Sequence, residues 1–136
     1  MQLNAYLNFN GDCQEAFKFY AKSLGGKIIT MQTHGDSPVA DHVPAGWRDG
    51  IMHARLDVAG GVLMGADASP EHYQKPQGLY VSLAVTTPQE AERMFKVLSE
   101  KGTVQMPIQK TFWSERFGML IDRFGIPWMV NCDATI

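Results

Sequence analysis

The segment Asp12-Cys13-Gln14-Glu15-Ala16-Phe17-Lys18-Phe19-Tyr20 decides the fold, because the chain repeats its pattern. The second copy is Thr87-Pro88-Gln89-Glu90-Ala91-Glu92-Arg93-Met94-Phe95. Each copy follows an alternating apolar run, and glycine follows each copy, at Gly25-Gly26 and at Gly102. A strand–helix unit that occurs twice in 136 residues indicates two copies of one supersecondary module.

Capping-box patterns predict that both segments begin helices. In the first copy Asp12 precedes Glu15 by three residues, and in the second Thr87 precedes Glu90 by three. Apolar residues recur after both capping boxes at helical spacing, which predicts one buried stripe per helix. The predicted stripes are Cys13, Ala16, Phe17, Tyr20 and Leu24 in the first helix and Ala91, Met94, Phe95 and Leu98 in the second. Glycine after each stripe predicts where the helix ends.

Alternating apolar residues predict strands around both helices. The predicted strands cover residues 3–9, 27–34, 51–58, 62–66, 79–85, 103–108, 117–122 and 126–132. The order is therefore β-α-β-β-β, twice, in one α+β domain over residues 1–136. Module one covers about residues 1–67 and module two about 78–136. Each helix covers one side of a small mixed sheet, and we expect the two sheets to form a cupped half-barrel with a central cleft and the helices outside.

Composition excludes several classes of function. Apolar residues make up 45% of the chain, charged residues 19%, and the formal net charge is −2. Without a basic run, neither nucleic acid nor an anionic membrane surface is an expected partner. No apolar run approaches the roughly 20 residues that span a bilayer, and the N-terminus lacks the features of a signal peptide. Two distant cysteines, Cys13 and Cys132, favour reduced thiols and a cytoplasmic protein.

Seven short motifs carry a family resemblance. They are Tyr6-Leu7-Asn8-Phe9-Asn10-Gly11, Glu15-Ala16-Phe17-Lys18-Phe19-Tyr20, Leu24-Gly25-Gly26, Ile51-Met52-His53-Ala54, Leu63-Met64, Phe117-Gly118 and Asp122-Arg123-Phe124-Gly125-Ile126-Pro127-Trp128. In these motifs the sequence resembles the vicinal oxygen chelate superfamily, which contains glyoxalase I, bleomycin-resistance proteins and extradiol dioxygenases. Within this superfamily it most resembles the PhnB-like branch. The resemblance implies the duplicated fold, a small-molecule ligand and a homodimer.

The resemblance also raises two activities that the residues do not favour. PhnB-like proteins are often labelled demethylubiquinone methyltransferases, but this chain lacks the glycine-rich strand-to-helix turn that a nucleotide-type methyl donor usually needs. Metal-dependent members take His and Glu ligands from the first and last strand of each module. The corresponding positions here are Asn4, Ala5, Tyr6, Met64, Gly65, Asp67, Tyr80, Val81, Ser82, Met129 and Asn131. Only Asp67 is a good ligand, so we expect no family-type metal site and no cofactor.

His53 is the candidate catalytic residue. Strand parity places it with Arg55 and Asp57 on the polar side of its strand, opposite the apolar face formed by Met52, Ala54, Leu56 and Val58. It is either an imidazole that contacts ligand or acts as a general base, or a structural histidine bonded to backbone or to a nearby aspartate. Arg55 either clamps an anionic oxygen or pairs with Asp57 or Glu115.

Aromatic residues near the seventh strand, Phe112, Trp113 and Phe117, form either a wall for a flat ligand or part of a packed core or dimer contact. The predicted ligand-binding residues are Tyr6, His53, Arg55, Asp67, Trp113 and Asn131. They favour a metal-independent small-molecule-binding protein. The alternative is a metal-dependent lyase, isomerase or dioxygenase, which would need ligands such as His53 with Asp67, and a third reading is a structural partner domain.

Overall fold

The chain forms two units in the computed structural model, which describes residues 1–132. One unit is Met1–Gln74, and the other begins at Lys75. The first contains β1 (Ala5–Phe9), α1 (Cys13–Leu24), β2 (Lys27–Thr33), β3 (Ile51–Val58) and β4 (Gly61–Asp67). The second contains β5 (Val81–Val85), α2 (Pro88–Ser99), β6 (Thr103–Gln109), β7 (Arg116–Ile121) and β8 (Pro127–Cys132). The predicted β-α-β-β-β order is confirmed in both halves, and the fold is α+β.

Each unit contains one open, four-stranded mixed sheet, and the two sheets are built alike. The strand orders are β1-β4-β3-β2 and β5-β8-β7-β6. In each sheet the first strand runs parallel to the last, and the other neighbours are antiparallel. The parallel pairs match residue for residue, since Ala5 opposes Leu63 as Val81 opposes Trp128. The sequence repeat therefore extends to the register of the strands.

Each helix packs on one face of its own sheet. The buried stripe of α2 consists of the four predicted residues, Ala91, Met94, Phe95 and Leu98. The stripe of α1 contains Cys13, Ala16, Phe17 and Tyr20 as predicted, with Ser23 buried in place of Leu24. Each stripe covers buried strand residues of its own unit. The face of each sheet that is turned away from its helix is called the open face below.

A strand glycine receives an aromatic ring from each helix. A Cβ on Gly65 of β4 would lie 2.9 Å from Cε1 of Phe17, and a Cβ on Gly118 of β7 would lie 2.6 Å from Cε2 of Phe95. Side chains alternate between the two faces along a strand, so these contacts also fix which residues share the helix side. Leu63 and Asp67 lie on the helix side with Gly65, while Phe117 and Met119 lie on the open face.

Three predictions about local structure need correction. The β1 and β5 strands begin two residues later than predicted, and Leu3 and Leu79 are 97% and 53% exposed. A bulge where β3 pairs with β2 puts Ile51, rather than Met52, in the core. Asp12 makes no side-chain capping bond, and its backbone, at φ −113° and ψ 22°, lies outside the extended region that is usual for an N-cap residue.

The segment between β2 and β3 is folded on itself rather than structureless. It contains two short 3-10 turns, at Ala40–His42 and Ala45–Trp47. Hydrogen bonds from His34 N to Gly50 O and from Gly35 N to Arg48 O close its base. Neither α1 nor α2, the helices of the described part, is long and apolar enough to cross a membrane.

Candidate functional site

Tyr6 and His53 meet on the open face of the first sheet. Tyr6 is on β1 and His53 on β3, and their rings stack with centroids 5.8 Å apart and planes 26° apart. The Tyr6 hydroxyl lies 3.1 Å from His53 Nδ1. Burial, helped by the nearby Cys13 thiol, raises the pKa of Tyr6, so the phenol stays protonated and can donate to Nδ1. In that arrangement a neutral His53 carries its proton on Nε2 and can donate it to a ligand.

Arg55 lies on the same open face, next to Met64 on β4, which in turn opposes Tyr6. Its Nε donates to Asp57 Oδ1 over 2.8 Å, and both side chains are about 40% exposed. The hydrogen bond and the charge of Asp57 raise the pKa of Arg55. Of the two readings of Arg55 from the sequence, the structure shows the ion pair with Asp57.

Asp67 lies on the helix side of β4, on the opposite face of the first sheet from Tyr6, His53 and Arg55. Its Oδ1 accepts hydrogen bonds from Gly11 N at 2.9 Å and Cys13 N at 3.0 Å, and its Oδ2 accepts one from Ile51 N at 2.8 Å. The side chain is 4% exposed. These bonds occupy the carboxylate in holding three chain segments together, so we assign Asp67 a structural role.

The open face of the second sheet carries the aromatic residues. Trp113 packs edge-on against Phe117, with centroids 5.4 Å apart, and Phe112 packs edge-on against Trp113 at 4.7 Å. Phe117 is 8% exposed, whereas Trp113 is 54% exposed. Phe117 directly opposes Asn131 of β8, which brings the carboxamide beside the aromatic pair. The structure thus groups Trp113 with Asn131 in the second unit, as it groups Tyr6, His53 and Arg55 in the first.

Ser114 holds the loop that presents Trp113, a role that the sequence did not suggest. Its hydroxyl lies 2.7 Å from Arg116 O and 2.8 Å from Cys132 O, and the residue is 6% exposed. Thr111 N donates to Ser114 O at 3.0 Å, which closes the loop. A single serine between an aromatic and a charged residue has no distinctive pattern, so only the strand pairing reveals its function.

Asn131 has an unusual environment for an amide. Its Oδ1 is buried and has no hydrogen-bond partner among residues 1–132. Across the strands it is flanked by Ala84 on β5 and Phe117 on β7. A buried acceptor without a protein partner is rare in folded proteins, where an ordered water or another bound group usually satisfies such an atom.

The side chains at the family's metal positions do not fit a divalent cation. On the two open faces, the first and last strands present Tyr6, Asn8, Met64, Ala66, Ser82, Ala84, Met129 and Asn131. None of these is a carboxylate or an imidazole, the ligands that such ions prefer. Within the described range, 1–132, no three His, Cys, Asp or Glu side chains form a group that could hold a metal ion. His53 and Asp67, the predicted alternative pair, lie on opposite faces of one sheet.

Comparison with known proteins agrees with the duplicated fold. The sequence model of the glyoxalase/bleomycin resistance protein/dioxygenase superfamily matches residues 2–130. Protein YjdN of Escherichia coli (strain K12) is 33% identical over 139 aligned residues, which cover 96% of this chain and 95% of YjdN. These matches cover almost all of the chain.

Solved structures show the same fold. The crystal structure of protein PA1353 from Pseudomonas aeruginosa is 49% identical, with a TM-score of 0.90 and 98% of each chain covered. A PhnB protein from Bacillus cereus, whose name proposes a 3-demethylubiquinone-9 3-methyltransferase activity, is 21% identical with a TM-score of 0.82, and covers 98% of this chain and 100% of its own. With the sequence match over residues 2–130, these likenesses show that the chain belongs to the glyoxalase/bleomycin resistance protein/dioxygenase superfamily.

Proposed function

We propose that this chain is a metal-independent small-molecule-binding protein. The observation that supports this most is the half-exposed Trp113, which packs on Phe117, the cross-strand neighbour of Asn131. Hydrogen bonds of Ser114 hold the loop, and the contact with Phe117 restricts the Trp113 ring before a ligand binds. Ordering a side chain in advance lowers the entropic cost of binding, and an aromatic surface with few polar groups is typical of ligand sites.

The open face of the first sheet supports the same proposal. Tyr6 and His53 together offer a hydrogen-bond donor at His53 Nε2, and the Arg55–Asp57 pair lies beside them. The imidazole could also move a proton, so His53 is the one described residue on which we would base a catalytic function. Ligand binding without catalysis would require only the hydrogen-bond donor at His53 Nε2.

Metal independence is proposed because neutral side chains stand at the first- and last-strand positions. Asn, Ser, Met and Tyr hold divalent cations weakly compared with imidazole and carboxylate. The alternative, a metal-dependent lyase, isomerase or dioxygenase, would need His53 and Asp67 to ligate one ion. Asp67 faces the helix and is already bonded to three backbone N–H groups.

A methyltransferase activity does not fit the strand-to-helix turns. A nucleotide-type methyl donor usually needs a glycine-rich turn that leads from a strand into a helix. In the first unit the backbone of this turn is already bonded within the protein, because the N–H groups of Gly11 and Cys13 donate to the carboxylate of Asp67. In the second unit the Thr87 hydroxyl caps α2 by accepting from Glu90 N.

Ligand screening with and without chelator tests the proposal. We expect compounds with flat aromatic rings to bind the full chain in ligand-observed NMR, equally well before and after treatment with EDTA. Trp113→Ala should abolish this binding, because it removes the exposed ring. Val39→Ala, which truncates another half-exposed apolar side chain in the first unit, is the control and should bind normally. One tightly bound metal ion per chain, lost in His53→Ala, would establish the alternative instead.

We also propose that the protein is a cytoplasmic homodimer. Each open sheet ends in two edge strands, which favour association with another chain. Phe112 is 97% exposed and Ile29 on the edge strand β2 is 50% exposed, so apolar surface is present for such a contact. Both cysteines are free and buried, in keeping with a reducing compartment.

A further inference from the structure

We infer that the open face of the first sheet binds a carboxylate group of the ligand, through His53 Nε2 and the Nη groups of Arg55. The inference rests on the proposed function, because it assigns a chemical group to a face that supports ligand binding. Tyr6 is the positioning residue, since its hydroxyl lies 3.1 Å from His53 Nδ1 and leaves the Nε2–H group for the ligand.

The donors of this face are free and reach the surface. Within residues 1–132, His53 is hydrogen-bonded only through Nδ1, and Arg55 only through Nε, which donates to Asp57. Neither His53 Nε2 nor an Arg55 Nη belongs to the buried atoms that lack a partner in this range. These nitrogens therefore keep solvent-accessible area, where a ligand can replace water.

The spacing of the two residues fits one carboxylate. His53 and Arg55 are two residues apart on β3 and share its open face, so their Cα atoms are about 7 Å apart. A carboxylate oxygen accepts from an N–H group over about 2.9 Å. One oxygen of the group can thus accept from His53 while the other accepts from Arg55.

The charge of this face favours an anion. On the strands of the first sheet, Lys27 and Arg55 on the open face outnumber Asp57, which opposes Lys27. The residues that flank Arg55 across the strands, Thr30 and Met64, are uncharged. The ion pair with Asp57 uses only Nε, and it holds the guanidinium in place, which lowers the entropic cost of binding.

The tautomer of His53 decides which ligand group is accepted. Because the Tyr6 hydroxyl donates to Nδ1, Nε2 carries the proton and presents a donor. The Nη groups of Arg55 are donors as well, so the ligand has to supply acceptors. A carboxylate does so with both oxygens, whereas a carboxamide would place its NH₂ group against one of the donors. Sites that hydrogen-bond one group discriminate strongly against such analogues.

Two probes of equal size and shape test this selectivity. Benzoate carries a carboxylate, and benzamide carries a neutral carboxamide on the same ring. Each is titrated at pH 8 into the full ¹⁵N-labelled chain, and Kd is taken from the backbone amide shifts. We expect benzoate to bind with a Kd of about 1 mM, as fits a fragment of this size. It should bind about tenfold more tightly than benzamide, because its hydrogen bonds are charged on both sides.

Substitutions at Arg55 locate the carboxylate. Arg55→Gln should eliminate the preference for benzoate. The double variant Arg55→Gln with Asp57→Asn keeps the net charge of the face, and it should lose the preference as well, because the guanidinium and not the net charge is recognised. Arg93→Gln, which removes an arginine that is also paired with a carboxylate, Glu90, on α2, should behave as the unaltered chain.

The ring nitrogens of His53 report the role of Tyr6. In the unaltered chain at pH 8 we expect ¹⁵N shifts that show the proton on Nε2. Tyr6→Phe removes the hydroxyl, so the two tautomers should mix and benzoate should bind about threefold more weakly. Tyr80→Phe, which removes a hydroxyl bonded to Gln105 in the second unit, is the control and should leave both readings unchanged.

Each outcome bears on the inference. Equal affinity for benzoate and benzamide in the unaltered chain overturns it, whatever the variants do, and leaves the proposed binding function standing. A benzoate preference that persists in Arg55→Gln also overturns it, as does a His53 proton on Nδ1. Failure of both probes to bind overturns it too, and if the aromatic screen also yields no ligand, the proposed function fails with it.

Discussion

At the scale of single residues, the face on which a side chain lies decides its role. Asp67 follows Leu63 and Gly65 at intervals of two, and both of these lie against α1. That alternation was readable from the sequence and would have placed Asp67 on the helix side. The contact between Tyr6 and His53 was not readable in this way, because it depends on the strand order and on the bulge in β3.

Replacing Asp67 by asparagine tests its structural role. In Asp67→Asn one carboxylate oxygen becomes an NH₂ group, which faces a backbone N–H donor, either that of Ile51 or those of Gly11 and Cys13. We expect the free energy of unfolding to fall by about 2–3 kcal/mol, since charged hydrogen bonds are lost in a buried place. Urea denaturation measures this change. Asp41→Asn, at an exposed residue, should stay within about 0.5 kcal/mol of the unaltered chain.

At the scale of elements, the two helices begin differently although their sequences predict the same cap. Thr87 caps α2 through its hydroxyl, while Asp12 makes no side-chain capping bond in α1. Thr87→Ala should therefore destabilise the protein by about 1 kcal/mol, as measured by urea denaturation. If Thr87→Ala loses no more stability than the control Thr86→Ala, which changes an exposed threonine outside the helix, Thr87 does not stabilise α2 as a cap.

The pKa of Asp12 predicts that a substitution at this residue stabilises the protein, whereas the substitutions above destabilise it. Burial, followed by the charges of Asp67 and Glu15, raises this pKa. The folded chain then holds the proton more tightly than the unfolded chain, so ionised Asp12 reduces stability at neutral pH and this cost vanishes below the unfolded pKa of about 3.9. Asp12→Asn should raise the urea midpoint at pH 7, and the gain should disappear in acid. An unchanged midpoint at pH 7 would show that Asp12 carries no such cost.

The close contacts of the two strand glycines give a third prediction for elements. Gly65→Ala would push a methyl group against Phe17 and the backbone oxygen of Leu7, and Gly118→Ala would push one against Phe95. Each should lower the free energy of unfolding by about 1–3 kcal/mol through overpacking. Gly46→Ala is the matched control, because no atom lies within 4 Å of its added Cβ. Similar losses in all three variants would mean that the helix contact is not the cause.

At the scale of the whole molecule, periodicity predicted most of the fold and only part of the candidate site. Alternation and helical spacing gave all ten helices and strands of the described part, because burial dictates both periods. Strand parity also placed His53 and Arg55 on the polar face of β3, where the structure has them. The unpaired Oδ1 of Asn131 and the loop bonds of Ser114 follow from cross-strand partners that no local pattern encodes.

The proposed homodimer is tested by light scattering coupled to size-exclusion chromatography. We expect twice the chain mass of 15.1 kDa at micromolar concentration. A lysine on the apolar edge strand, Ile29→Lys, should shift the protein toward the monomer if that strand takes part. A single-chain mass for the unaltered protein would refute the proposed dimer.

The three bonds to Asp67 have a consequence for motion as well as for stability. Ile51 is distant in sequence from Gly11 and Cys13, yet the amide protons of all three residues are bonded to one carboxylate. These protons can exchange with deuterium only when the bonds to Asp67 break, so the three amides should report the same opening free energy once their intrinsic exchange rates are divided out. The end of β4 would then couple the start of α1 to the start of β3, so that both open in the same local unfolding event.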